Sequence, residues 1–201
     1  MWSGKLTETL TIHCFDRLSS PQSDFVKSRK ATRGSLYYHH VDVRLSEELN
    51  QTVEGIMSQH GQIDGLVAAA GIQQIKEAVN YTCKDVIEML DVNYTGVLMS
   101  INAVARSMID SKREGSIVLV ASMSGLIANK GLKSPVYNSS KAAVIQLSRN
   151  LAMEWGRHNI RVNTLCPGQY YNAYGSGEFL GSAWFERNMG KREYARPVGI
   201  A

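Results

Sequence analysis

Along residues 10–168 the spacing of apolar side chains changes repeatedly between two periods, about two and about three and a half residues. Residues 10–15 (LTIHCF) alternate apolar and polar positions and are closed by Asp16 and Arg17, as in a half-buried strand. Residues 36–41 (LYYHHV) predict a second strand, and residues 18–34 between them hold Pro21, many polar groups and a short helix near 24–30. Leu45, Leu49, Val53, Ile56 and Met57 then recur at helical spacing to about Gln59, with Ser46 as the expected cap. A third strand is predicted over residues 63–69. Thr82-Cys-Lys-Asp85 has the spacing of a capping box and opens a helix toward Leu90. Val97, Ile101, Val104, Ala105, Met108 and Ile109 mark a longer helix after Asn93. The remaining strands are 115–121 and 160–165, separated by a helix that starts at Tyr137 and carries Val144, Leu147, Leu151 and Trp155.

Strand and helix alternate throughout, which predicts an α/β fold with a parallel sheet and helices on both faces. The predicted organisation is one domain over residues 1–168, followed by a divergent segment, 169–201, rich in glycine and tyrosine and without a strand signal.

Composition narrows the function. The chain has 201 residues, 44% hydrophobic and 20% charged, so it is long enough for one substantial core. A net charge of +4 is modest, and the basic stretch at 27–33 lacks interleaved aromatics, which argues against nucleic acid as a partner. Cys14, Cys83 and Cys166 are far apart and form no Cys-x-x-Cys pair, as expected for reduced thiols in an intracellular protein. His39 and His40 fall inside a strand and read as its alternating side chains, so no metal site is expected. No uncharged run reaches the about 18–20 apolar residues of a membrane span, and no signal-peptide pattern follows Met1; a cytoplasmic location is the expectation.

The strongest chemical signal is Tyr137-Asn-Ser-Ser-Lys141. Residues four apart share a helix face, so a phenol and an ammonium lie side by side. A phenol ordinarily titrates near ~10, and bringing it to neutrality takes roughly 4 kcal/mol of preference for the phenolate, which a neighbouring cation helps supply. Such a tyrosine exchanges protons near neutral pH. Ser122 and Ser124 follow the 115–121 strand, at the carboxyl end where open α/β sheets bind ligands. A hydroxyl there donates to a substrate carbonyl.

Taken in order, Asp42-Val43 after a strand, Ala68-Ala-Ala-Gly71, Asn93-Tyr-Thr-Gly96, Ser122, Tyr137-x-x-x-Lys141 and Pro167-Gly168 resemble the short-chain dehydrogenase/reductase family over about residues 10–168. The wording around Ser122 and Tyr137 is most similar to fungal sorbose reductases and mannitol or arabinitol dehydrogenases. The resemblance implies a Rossmann-like doubly wound sheet and an NADP or NAD cofactor. It implies Ser122 polarising a carbonyl, Tyr137 as general acid or base, Lys141 lowering its pKa and binding nicotinamide ribose, and Asn93 completing a water-linked relay. The cofactor contacts it implies are Asp16, Arg17, Asp42, Val43, Ala68, Gly71, Asn93, Tyr137, Lys141, Pro167 and Gly168. Asp16 suits a ribose diol and Arg17 a 2′-phosphate, which leaves NAD and NADP both open. A secondary alcohol or ketone is the implied substrate, a small polyol or ketose first and a secondary-metabolite ketone second, and a homo-oligomer the implied assembly.

The chain has Ala68 and Ala69 where the family usually carries asparagines, and it departs from the family pattern more widely in two ways. Nothing before Asp16 offers a Gly-x-x-x-Gly-x-Gly turn, and Gln169-Tyr-Tyr-Asn does not match the family's continuation. The expectation is a fold incomplete at both ends, lacking the first strand with its glycine-rich turn and the final strand. In the order 3-2-1-4-5-6 the missing strand is central. Either residues 10–15 shift to bridge the gap, or two half-sheets keep unpaired edges. Two rival readings stand beside an oxidoreductase: a catalytically silent protein acting through oligomerisation, and an epimerase or dehydratase of a related dinucleotide-binding fold.

Overall fold

A computed structural model describes residues 10–21, 25 and 34–168; of the helix expected near 24–30 only residue 25 is described, as helical, and the segment 169–201 lies outside the described residues. Among the described residues five strands and four α-helices follow in chain order: β1 (Thr11–Asp16), β2 (Ser35–His40), α1 (Ser46–His60), β3 (Gly65–Ala68), α2 (Cys83–Leu90), α3 (Val97–Asp110), β4 (Gly115–Val120), α4 (Pro135–Trp155) and β5 (Ile160–Leu165). All strand pairings are parallel. β1 pairs with β2 in one sheet, and β3-β4-β5 form another with β4 in the centre.

No ladder joins β1 to β3 among the described residues, so the segment at 10–15 does not move across to bridge the gap. Of the two outcomes open to the sequence, the separate half-sheets are the one observed. β1 runs in full parallel pairing with β2 from Thr11↔Ser35 to Asp16↔His40.

The three-stranded sheet buries one face. Leu66, Ile117 and Val162 are in register on the face beneath α3 and α4, and Ile117 and Leu119 are completely buried. Each such side chain stabilises the fold by about 1.5–3 kcal/mol relative to exposure. Val67, Arg161 and Asn163 alternate onto the opposite face and are exposed, Val67 at 65%. The prediction of helices on both faces is therefore met on one face only among the described residues. α1 joins the same core through Leu49 and Val53, packed beside α3.

Local boundaries differ from expectation where capping chemistry decides. Ser46 is the first residue of α1, not its cap; Leu45 holds the cap position without a side-chain bond. Thr82 does form the capping box, its hydroxyl accepting from Asp85 N while Asp85 accepts from Thr82 N. α4 starts two residues ahead of Tyr137 because Pro135, with its fixed φ, suits a first helical turn. Between α2 and α3 the chain does not break: Asp91–Gly96 winds as a π-helical turn and carries Asn93 into the interior. Such turns are frequent at functional sites.

Candidate active site

β3, β4 and β5 run parallel and end on one side of their sheet, and the residues proposed for catalysis collect there. Lys141, on the second turn of α4, is 4% exposed, and its Nζ donates to the carbonyl of Val120 at the end of β4, 2.8 Å away. Burial pushes its ammonium below the usual lysine value. The same Nζ lies 5.8 Å from the centre of the Tyr137 ring, so the pair anticipated from the spacing is present, with the ammonium alongside the ring and anchored by backbone. Tyr137 itself is half-buried.

Ser122 follows β4 directly, in extended conformation, and its Oγ accepts from Ser124 N at 3.1 Å. Ser124, the rival hydroxyl, is buried, and its Oγ accepts from Asn129 Nδ2 at 2.5 Å. Each hydroxyl oxygen thus accepts one bond, and Ser122 is the less buried of the two. Gly125 lets this turn sit on α4: a Cβ there would be 2.7 Å from the Lys141 carbonyl carbon and 2.8 Å from Ala142 N. Across the sheet, Met123 N donates to Pro167 O at 3.0 Å, which draws Pro167 and Gly168 beside the Ser122 turn.

Asn93 is fully buried, and its amide is satisfied on all sides. Oδ1 accepts from Ile72 N at 2.8 Å, and Nδ2 donates to Ile72 O at 2.9 Å and to Ser140 Oγ at 3.0 Å. Ser140 Oγ in turn donates to the carbonyl of Tyr137 at 2.7 Å. The side chain of Asn93 thus ties the chain after β3 to the turn of α4 that bears Tyr137. Gly71 lies against this knot, since a Cβ would come 3.3 Å from Lys141 Nζ and 3.4 Å from Asn93 Oδ1. Ala68 is buried at the end of β3.

The remaining candidates sit on the other half-sheet. Asp16 ends β1, and its Oδ1 accepts from Leu18 N; Arg17 beside it is exposed. Asp42 is gripped by Arg44, whose Nε and Nη2 donate to the two carboxylate oxygens, and this bond chiefly holds the Asp42 carboxyl below its usual range. Val43 packs against Gly96, where a Cβ would meet Val43 Cγ2 at 2.6 Å.

Sequence reading passed over three participants. Ser140 was legible in principle, being three residues from Tyr137 on the buried side of a helix. The Val120 carbonyl and the Ile72 peptide are backbone groups and leave no residue-type signal. Among the described residues no group of three or more histidine, cysteine or acidic side chains is placed to hold a metal, and no helix is long and apolar enough to cross a membrane.

A D-arabinitol 2-dehydrogenase (ribulose-forming) from Candida albicans (strain WO-1) is 42% identical over 124 residues, covering 61% of this chain and 44% of that protein. A short chain dehydrogenases/reductase named notP' from Aspergillus versicolor is 37% identical over 164 residues, covering 77% and 56%. This chain spans about half the length of these curated relatives. Among solved structures, a short-chain type dehydrogenase/reductase from Mycobacterium marinum superposes with a TM-score of 0.75 at 30% identity, over 79% of this chain and 62% of that one. NAD+-bound xylitol dehydrogenase gives 0.72 at 28% identity, over 82% and 62%. The model of the short chain dehydrogenase family matches residues 5–174, most of the sequence, and this protein therefore belongs to that family.

Proposed function

We propose that this chain carries the proton-transfer machinery of a cytoplasmic NAD(P)-dependent oxidoreductase that interconverts a secondary alcohol and a ketone, with a small polyol or ketose as substrate. The observation that carries the reading is Lys141, a buried ammonium fixed on the Val120 carbonyl beside the Tyr137 ring, at the carboxyl ends of the strands. Burying a cation is costly, and an enzyme retains one where chemistry needs it. The relative named as a D-arabinitol 2-dehydrogenase supports the substrate class.

The residues fit the nicotinamide end of such a cofactor: Gly71 leaves open the space next to Lys141 and Asn93 that a side chain would fill. When bound, the nicotinamide supplies or accepts the hydride. Tyr137 moves the proton to or from the substrate oxygen, and Ser122 Oγ donates to that oxygen and holds it. Lys141 favours the ionised phenol and orients the ribose. Asn93, its amide already saturated, positions the Tyr137 turn and contributes to a proton relay through its surroundings. At the adenosine end Asp16, Arg17, Asp42 and Val43 form the contact surface, with Ala68, Pro167 and Gly168 lining the cofactor's path as backbone. NAD and NADP both fit this set.

A second reading is a catalytically silent member acting through assembly. It is favoured by the separate half-sheets, which share no ladder among the described residues. In either case α3 and α4 are the proposed surfaces for a homo-oligomer, and Met153 on α4 is 80% exposed.

One experiment separates the two readings. The purified chain is titrated with NADH and NADPH by cofactor fluorescence and then assayed with pentuloses. Saturable binding with turnover, lowered about 100-fold or more in Tyr137→Phe, is the expected outcome. Absence of binding at millimolar cofactor selects the silent protein.

A further inference from the structure

Three imidazoles from three different elements meet beside the N-terminal strand pair. His13 of β1 stacks on Tyr37, its ladder partner on β2, with ring centres 4.8 Å apart and planes 13° apart. His13 Nδ1 is 2.8 Å from His39 Nε2, and His13 Nε2 is 3.2 Å from Nε2 of His60, the last residue of α1. The two contacts use opposite nitrogens of the central ring, so the lone pairs do not converge on a point as metal coordination would require. They form a chain instead.

Proton counting shows what that chain tolerates. A neutral imidazole offers one N–H and one lone pair. Three in series satisfy both contacts, each ring donating to the next in either direction. One added proton is also accommodated. With that proton on the exposed His60, for example, His60 donates to His13, and His13 to His39. A second added proton has no place, because every arrangement sets one N–H against another across a 2.8 or 3.2 Å gap.

We propose that His13, His39 and His60 form a one-proton lock that fastens the end of α1 to the β1–β2 pair and opens when a second proton enters.

The surroundings give that second charge no relief. From β2 the facing groups are Tyr37 and His39, while Tyr38 and His40 alternate onto the other face. From β1, Cys14 and Asp16 likewise point away. On α1 the acidic residues are Glu47, Glu48 and Glu54, at least six positions from His60, or about 9 Å along the axis. The charges acting on His13 among the described residues are those of His39 and His60. Burial first, and then these two neighbours, hold His13 below the ordinary 6.5; burial does the same for His39. For a group depressed in the folded state, the stabilising contribution is complete above 6.5 and is lost as pH falls toward the folded value. β1 ends at Asp16, with Arg17 next, so opening also loosens the proposed adenosine contacts. That corollary rests on the proposed function, whereas the lock does not.

The test uses the whole chain. Imidazole nitrogen NMR from pH 8 to pH 5 is expected to show one histidine of the three titrating ahead of the other two, which stay below 6.5, with Tm falling as the later protons bind. His13→Phe keeps a stacked ring and removes both nitrogens, and it is expected to flatten the fall in Tm across that range. Independent titration of all three at the ordinary value would overturn the proposal, as would an unchanged pH dependence of Tm in the variant. Should the variant fail to fold, the titration of the native chain decides alone.

Discussion

The two half-sheets are held in different ways. β3-β4-β5 lies under α3 and α4 with Ile117, Leu119 and Ile160 sealed from water, and every hydroxyl, amide and ammonium of the proposed chemistry is tied to that block. The β1–β2 pair buries Leu36 but leaves Leu10, Ile12 and Tyr37 more than a third exposed, and it meets α1 through polar rings. The parts that need sub-ångström placement are therefore built on the densely packed half. The residues assigned to grip the adenosine end lie on the half with less apolar burial. Side-chain burial, complete at Ile117 and Leu119 and only partial along β1, separates the two.

The largest effect that would break this contrast is in the core. Ile117→Ala removes a completely buried side chain from the central strand and is expected to cost about 2–5 kcal/mol, whereas Ile12→Ala on β1 should cost under about 1 kcal/mol. Urea melts followed by circular dichroism measure both. Comparable losses at the two sites would mean that the halves are equally packed and the contrast false.

Next in size is Gly125→Ala. The new Cβ would press on the backbone of α4 at Lys141 and Ala142, both within 2.8 Å, where the helix cannot yield as a flexible side chain would. A loss of about 1–3 kcal/mol is expected, together with a fall in any turnover, because the Ser122 turn and Lys141 are pushed apart. Gly55→Ala meets nothing within 4 Å in the middle of α1 and should be neutral or stabilising. The pair of melts reads close approach against helix propensity alone.

How far the sequence foretold these differences depends on what kind of group carries them. β5 and the capping box at Thr82 follow side-chain type and spacing, and both were legible. The Tyr137–Lys141 face was legible because it needs only the period of a helix. The π-helical turn at Asn93 was not, since it is chosen by where α2 and α3 must point to seat one amide between Ile72 and Ser140. The His13–His39–His60 contact also escaped: His39 and His40 looked like ordinary strand residues, and nothing in their spacing tells that His60, at the far end of a helix, returns to meet them. Pairings between distant elements are tertiary facts that no local window contains.

The smallest effect sharpens the comparison by pH. At the start of α2, Asp85 accepts from Lys76 Nζ at 2.6 Å and from Thr82 N and Oγ1 at 2.8 and 2.7 Å, and these bonds, the lysine's first, hold its carboxyl far below the carboxylate range. Its contribution is complete above the ordinary value of 3.8 and disappears only in stronger acid. Thr82→Ala should therefore cost about 1 kcal/mol by loss of the cap, and by the same amount at pH 7 and at pH 5. The histidine lock weakens within that interval, from 6.5 downward. Amide exchange, corrected for its intrinsic pH dependence, should then show β1 losing protection between pH 7 and pH 5 while α2 keeps its own. If α2 opened with β1 in that range, the two halves would be unfolding as one unit, and the separation drawn from their packing would not hold.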